Sequence, residues 1–126
     1  MDITGTAVVE HRAGRQPAIV VTWVSDASGD VEHRIDVPLD TRLLSLAVIP
    51  NDGELIPTAG YNLTWENEWG ADILGGAGLA LSQTVKTHAT LGISATEPKP
   101  VRTKYTVFKI ANGGSGKSGT VILYTM

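Results

Sequence analysis

The chain contains no cysteine, which excludes disulfides and thiolate metal sites without fixing a compartment. It has a single phenylalanine and only 6% aromatic residues, so any core must be built mainly from aliphatic side chains. Met1 leads into Asp2-Ile3-Thr4-Gly5 rather than into a basic segment and an apolar run, so neither a signal peptide nor a membrane-spanning helix is expected. Residues 98–126 lack acid altogether. Heptads, a collagen period and a strong internal repeat are also missing, which removes coiled-coil and solenoid architectures.

What is present points to strands. The chain is 126 residues long, which favours one domain spanning 1–126. Apolar residues make up 42% of it, enough for a real core. Thr, Val and Ile recur throughout and are punctuated by 14 glycines, a mixture suited to strands and sharp turns. Strands are expected at Ile3–Glu10, Ala18–Val24, Val31–Val37, Arg42–Ile49 and Tyr61–Glu66. In Ala18–Val24, Ile19, Val21 and Trp23 share one face and Val20, Thr22 and Val24 the other, so this strand is read as internal. In Val31–Val37 the alternation sets Val31, His33, Ile35 and Val37 against Glu32, Arg34 and Asp36. Ala71–Leu74 fits a short helical turn or a short strand. Leu79–Leu91 offers a helical face through Leu81, Val85 and Ala89, weakened by Thr84, Thr87 and Thr90. Val101–Ile110 and Thr120–Tyr124 read as the arms of a terminal hairpin, with Thr106, Phe108 and Ile110 packing inward. Either Val121 and Leu123 or Ile122 and Tyr124 would meet them. The expected fold is all-β: a two-layer antiparallel β-sandwich of roughly seven or eight strands, with a small β-barrel as the alternative.

Charge is unevenly distributed. Residues 1–97 hold all 13 acidic residues and 5 basic ones, while residues 98–126 hold 5 basic residues. The two regions can meet within the fold or between subunits. The acidic excess argues against general nucleic-acid binding.

The candidate motifs fail chemical tests. Ala111–Ser118 approaches a phosphate-binding loop, but Ala111 stands where the motif needs glycine. Gly119-Thr120-Val121-Ile122-Leu123-Tyr124 then continues as a strand, where amides cradling phosphate need a helix. Gly113–Gly119 is therefore read as a flexible turn or contact loop between strands. Asp26, Ser28 and Asp30 have a spacing compatible with calcium, yet lack an EF-hand's length and closing acid. His11, His33 and His88 lack ligand spacing. Glu66 and Glu68 beside Trp65 and Trp69 suggest a sugar-contact patch more than a paired-acid hydrolase, which also needs a cleft and a set carboxylate separation. Gly114-Ser115-Gly116 lacks the full nucleophile-elbow pattern. No catalytic, cofactor or metal residue is assigned, and no enzyme activity is expected.

Tyr61-Asn62-Leu63-Thr64-Trp65-Glu66-Asn67-Glu68-Trp69-Gly70-Ala71-Asp72-Ile73-Leu74-Gly75-Gly76-Ala77-Gly78 resembles a segment of small structural proteins of tailed bacteriophages. There a Tyr-x-Leu-Thr strand is followed by an acidic turn, Gly-x-Asp-Ile/Val-Leu and a glycine-rich stretch. The resemblance resumes at Ala111–Tyr124 and is also carried by Ile19–Ser28. It implies a virion component made in the host cytoplasm, foremost a capsid cement or decoration protein. A neck, tail or baseplate module is the alternative, and a receptor- or glycan-binding module is the rival outside assembly. The implied partners are the major capsid protein, other virion proteins and further copies of the chain, with neither nucleic acid nor membrane. Trp69, Gly75, Gly76, Gly78, Arg102, Gly113, Gly114, Gly116 and Lys117 are the candidate interface residues.

Overall fold

A computed structural model describes residues 5–37, 41–91, 99–100, 103 and 105–125. Among the described residues nine extended segments follow one another: β1 (Thr6–Arg12), β2 (Ala18–Val24), β3 (Val31–Ile35), β4 (Arg42–Pro50), β5 (Asn62–Glu66), β6 (Thr87–Thr90), the two-residue β7 (Lys99–Pro100), β8 (Thr106–Ala111) and β9 (Ser118–Thr125). They form two antiparallel sheets. The larger has the order β1-β2-β9-β4-β6, with β7 also pairing to β4; the smaller has the order β3-β8-β5. The expected all-β sandwich is the observed fold, and β2 lies inside its sheet as its two apolar faces imply.

The terminal hairpin does not form. β8 pairs with β3 and β5, whereas β9 pairs with β2 and β4, so the Gly113–Lys117 loop carries the chain from one layer to the other. β2 and β3, joined by the Asp26–Asp30 turn, are likewise in different layers. Packed sheets lie about 10 Å apart, a gap that a loop of ordinary hairpin length can span. Loop length therefore does not distinguish a turn within a sheet from a corner between sheets. The helical option for Leu79–Leu91 is also replaced: turns lead to Leu81, which bridges Tyr61, and the short strand β6 follows. Threonine at 87 and 90 suits that strand better than a helix. Ala71–Leu74 is part of a turn, with Asp72 bridging Glu66. The part of Val101–Ile110 ahead of β8 that includes Val101, Arg102 and Lys104 lies outside the described residues.

The core lies between the layers. Ile19, Val21 and Trp23 of β2, Leu46 and Val48 of β4, and Val121 and Leu123 of β9 face Val31, Ile35, Leu63, Trp65, Phe108 and Ile110 of the smaller sheet. This settles the β9 alternative in favour of Val121 and Leu123. His33 keeps its place in the β3 alternation but is exposed, while Val31 and Ile35 on either side of it are buried. Trp23 and Tyr61 meet across the layers with ring centroids 5.7 Å apart, and Trp65 sits edge-on to Phe108 at 5.3 Å. A buried Trp removes about 150–250 Å² from water, worth roughly 4–6 kcal/mol at about 25 cal/mol per Å². That outweighs the zero to about 1 kcal/mol of an exposed ion pair, so burial in this core counts for more than the charge pairs on the surface.

The outer faces differ in character. On the smaller sheet, Lys109 bonds Glu66 at 3.1 Å and Glu32 at 3.6 Å, and Arg34 pairs with Asp36 at 3.2 Å. The Lys109 ammonium is held above its ordinary pKa chiefly by the hydrogen bond to Glu66, with desolvation partly opposing it. On the larger sheet, Val20, Thr22, Thr120, Ile122, Ala47 and Ile49 occupy the middle of the three inner strands, with Tyr124 on β9 and exposed Arg42 on β4 towards one end.

Two buried polar groups test this packing. Thr106 Oγ1 accepts from Trp65 Nε1 at 2.8 Å and donates to Ile35 O at 2.6 Å, tying all three strands of the smaller sheet. Thr106→Val keeps the shape and removes both bonds. It is expected to lower unfolding free energy by about 1–3 kcal/mol in urea titrations, because it strands a buried indole N–H. Tyr61 is the opposite case. Its buried hydroxyl has no protein partner, and burial pushes its pKa up to about 12. The raised folded pKa contributes stability below the unfolded value of about 10, and that stability is lost as pH rises towards about 12. Tyr61→Phe is therefore expected to leave stability at neutral pH within about 1 kcal/mol of the parent. It should also flatten the fall in Tm over that alkaline range, which thermal melts at successive pH values would read.

Candidate interaction surface

One local motif recurs three times. An Asx residue is followed three positions later by glycine with positive φ: Asp26 with Gly29, Asn67 with Gly70, and Asp72 with Gly75. In each, the glycine N–H donates to the Asx carbonyl, closing a turn. The Asx side chain then accepts from the amides two and four positions on. Asp26 Oδ1 takes Ser28 and Asp30 at 2.8 and 3.0 Å, and Asn67 Oδ1 takes Trp69 and Ala71 at 2.9 and 3.0 Å. Asp72 takes Leu74 through Oδ1 and Gly76 through Oδ2, and Oδ1 also accepts Trp65 N at 3.0 Å. Asp and Asn satisfy backbone donors that a bare turn would leave to water, and glycine supplies the left-handed residue. Sequence reading missed this repetition, although Asp26-Ala27-Ser28-Gly29, Asn67-Glu68-Trp69-Gly70 and Asp72-Ile73-Leu74-Gly75 display it directly.

The middle copy presents Trp69. Its side chain is 75% exposed, the most exposed large apolar residue among those described. The turn beneath it is anchored twice. Asn67 holds it from one side, and buried Thr103 accepts Glu68 N at 2.9 Å from the other while donating to Tyr105 O. Trp69 is thus a large side chain on a fixed mount.

The other candidates divide by location. Gly75 and Gly76 lie on the exposed Asp72 turn with φ of 61° and 86°. Gly78 is buried: a Cβ there would lie 2.9 Å from Leu63 Cβ, and its carbonyl accepts Leu63 N at 2.7 Å. The glycines of the β8–β9 loop make their close contacts inside the chain. Gly113 N donates to Gly29 O at 2.8 Å, and Gly113 O accepts Thr58 N at 3.0 Å. A Cβ on Gly114 would meet Thr58 Oγ1 at 2.7 Å. Ser25 Oγ bonds the Gly114 carbonyl and accepts Lys117 N at 2.9 Å. Lys117 Nζ donates to Glu54 O at 2.7 Å, while only open space surrounds a Cβ at Gly116. β9 begins directly after this loop, so the strand expected from the failed phosphate motif is present. Arg102 lies outside the described residues.

Other chemistry is sparse. No group of three or more His, Cys, Asp or Glu among the described residues is placed to hold a metal ion. A shallow hollow of about 290 Å³ on the smaller sheet is lined by Asp30, Glu32, Thr64 and Lys109 among others. Glu66 is committed to Lys109, and Trp65 is fully buried. No helix among the described residues is long and apolar enough to cross a membrane.

Comparison with known proteins adds little. No family model matches the chain. No curated protein matches it either. The crystal structure of a cupin domain from Bordetella pertussis is similar at a TM-score of 0.42 and 15% identity, covering 100% of this chain and 97% of that one. A likeness that distant bears on neither chemistry nor partners.

Asn67→Ala is expected to cost about 0.5–2 kcal/mol, the usual value of an Asx side chain capping backbone donors. It should also free the indole, narrowing the Trp69 line in fluorine NMR spectra of the 5-fluorotryptophan-labelled chain, the line being assigned through Trp69→Phe. An unchanged line would show that Thr103 alone fixes the turn.

Proposed function

We propose that this chain is a non-enzymatic assembly module: a structural protein of a tailed-bacteriophage particle, foremost a capsid decoration protein that binds the major capsid protein. The observation that carries the reading is Trp69, an exposed aromatic fixed on a turn bonded from both sides. Exposing an indole to water forfeits several kcal/mol of burial, and exposed Trp is enriched among residues that dominate protein–protein interfaces. A pre-ordered anchor loses little conformational entropy on docking. The phage-like stretch Tyr61–Gly78 coincides with this mount, running from the strand that leads into it to the turns that follow it. The alternative placements in a neck, tail or baseplate use the same anchor on a different partner.

A glycan-binding reading draws on the same residue, since an exposed indole also stacks on sugar rings. The two readings separate in one assay. Cosedimentation with capsids of the phage encoding the chain should show saturable binding, weakened at least tenfold by Trp69→Ala, a typical interface anchor being worth about 2 kcal/mol or more. The Tm of that variant should stay within a degree or two of the parent, because the side chain is on the surface. Binding to glycan arrays without capsid binding would overturn the assembly reading. Binding confined to tail tips would overturn the decoration assignment.

A further inference from the structure

We propose that Asn112 is a modification site, converted without an enzyme to isoaspartate and aspartate, and that the joint between the Asp26–Asp30 turn and the Gly113–Lys117 loop gates the conversion. Asn112 is the one asparagine of the chain followed by glycine. It is exposed, and its φ of 60° sets it in the left-handed region that asparagine tolerates better than most residues. Asn51, Asn62 and Asn67 precede Asp, Leu and Glu, whose side chains crowd the next amide nitrogen. Each of those three also holds its carboxamide in a hydrogen bond: Asn51 to Ser118 Oγ, Asn62 to Ala80 N, and Asn67 to the amides of Trp69 and Ala71. Glycine at 113 leaves the nitrogen after Asn112 with no side chain to crowd it.

The step is intramolecular and needs only water and hydroxide. Hydroxide removes the Gly113 N–H proton, and the nitrogen attacks Asn112 Cγ. The bond from Cγ to the side-chain nitrogen breaks, and that nitrogen takes a proton from water and leaves as ammonia, restoring the hydroxide. A succinimide ring now joins residues 112 and 113. Water opens it at either carbonyl: one opening gives aspartate, the other isoaspartate, in which the main chain runs through Cβ and Cγ. The net exchange is ammonia lost and water gained, with one new carboxylate and no change of oxidation state.

In the folded chain the attacking nitrogen is committed. Gly113 N donates to Gly29 O at 2.8 Å, and Gly113 O accepts Thr58 N at 3.0 Å, which fixes the peptide on both sides. Gly113 is buried, and a Cβ on it would stand 3.1 Å from Gly29 O and 3.5 Å from Trp23 Cζ3, so little room is left for the peptide to turn. Ring closure takes the very proton that faces Gly29 O and swings the nitrogen onto Cγ, and both need the joint to open. Hydrogen exchange of the same amide begins with the same proton removal, so one local opening governs both reactions. The products differ in consequence. Aspartate adds a charge and keeps the chain length. Isoaspartate adds a methylene to the main chain between residues 112 and 113 and draws Gly113 out of register with Gly29 and Thr58, weakening the joint that passes the chain between layers. The inference is independent of Trp69 and of the identity of the particle.

Trypsin releases residues 110–117, a peptide whose one asparagine is Asn112. Mass spectrometry of that peptide after incubation of the full chain in mildly alkaline buffer reads the conversion, and electron-transfer fragmentation tells isoaspartate from aspartate. The folded chain should convert at least about tenfold more slowly than a blocked synthetic peptide of the same residues, the factor reporting how seldom the joint is open. Ser25→Ala removes the hydroxyl that bonds Gly114 O and Lys117 N. It should speed Asn112 conversion and Gly113 amide exchange, the latter read by NMR, by one shared factor of about three or more. Sub-denaturing urea on the parent makes the same comparison if the variant does not fold. The isoaspartyl form, isolated by ion exchange, should melt below the parent, whereas Asn112→Asp should melt with it. Conversion in the folded chain as fast as in the peptide overturns the gate, as does exchange that accelerates without conversion. Conversion led by another asparagine in the urea-unfolded chain overturns the site, and an isoaspartyl form as stable as the parent overturns its effect on the joint.

Discussion

The fit of Trp23 over Gly119 is the constraint on which the two-layer body depends. The two residues are register partners on β2 and β9, and a Cβ at Gly119 would stand 3.0 Å from Trp23 Cζ2 and 3.2 Å from Ile49 O. Absence of a side chain lets the indole lie across β9 with no exposed surface. From there it reaches Tyr61 in the opposite layer, and its Cζ3 edge lies 3.5 Å from where a Gly113 Cβ would be. One side chain therefore joins two neighbouring strands, the facing layer and the loop that switches between layers. Close packing makes such an arrangement intolerant of added volume, because interiors hold few voids to absorb it.

The chain changes layer repeatedly, and this topology puts heavy demands on its corners. Each corner must satisfy backbone donors and acceptors near the end of a sheet, where ladder partners run out. The Asp26 corner and the Gly113–Lys117 corner solve this jointly: Gly113 N bonds Gly29 O, Gly116 N bonds Asp26 O, and Ser25 N bonds Lys117 O. Two loops far apart in sequence thus serve as each other's hydrogen-bond partners. The glycines at 29 and 113 follow from that approach rather than from flexibility, since a Cβ on Gly29 would meet Gly114 N at 2.7 Å and one on Gly113 would meet Gly29 O at 3.1 Å. A glycine-rich stretch that reads as a loose contact loop is in fact a packed joint.

Much of the fold was legible because alternation is a local property. Ile19, Val21 and Trp23, or Leu63 and Trp65, announce an inward face whatever strand lies beside them, and all are buried. Pairing is not local. Whether β9 follows β8 in the same sheet depends on which edges remain free once the other strands have assembled, and residues 112–117 fit either outcome. The sign of the charge asymmetry was readable too, and one contact within the fold draws on it: basic Lys109 from the C-terminal part meets Glu32 and Glu66 from the acidic part. Trp69 was legible as an aromatic at a turn, but its exposure was not. The Asn67-x-x-Gly70 spacing carries that information, because it fixes a turn in which position 69 has no neighbouring strand to pack against.

The edges of the larger sheet bear on how such a protein avoids indiscriminate association. β1 is an exposed edge bearing Glu10, His11 and Arg12, with Glu10 and Arg12 paired to each other, and the opposite edge is carried by short β6 and β7. Charged or short edges resist strand addition, the route by which open sheets aggregate. The edge of β3 is guarded in the same way by Glu32 and Arg34, the latter lying over the Tyr105 ring at 4.3 Å. With edgewise growth opposed at these strands, the mounted indole is the place where contact would remove the most exposed large apolar side chain from water. The charge on these edges thus steers contact away from strand addition and leaves the Trp69 turn as the largest exposed apolar feature among the described residues.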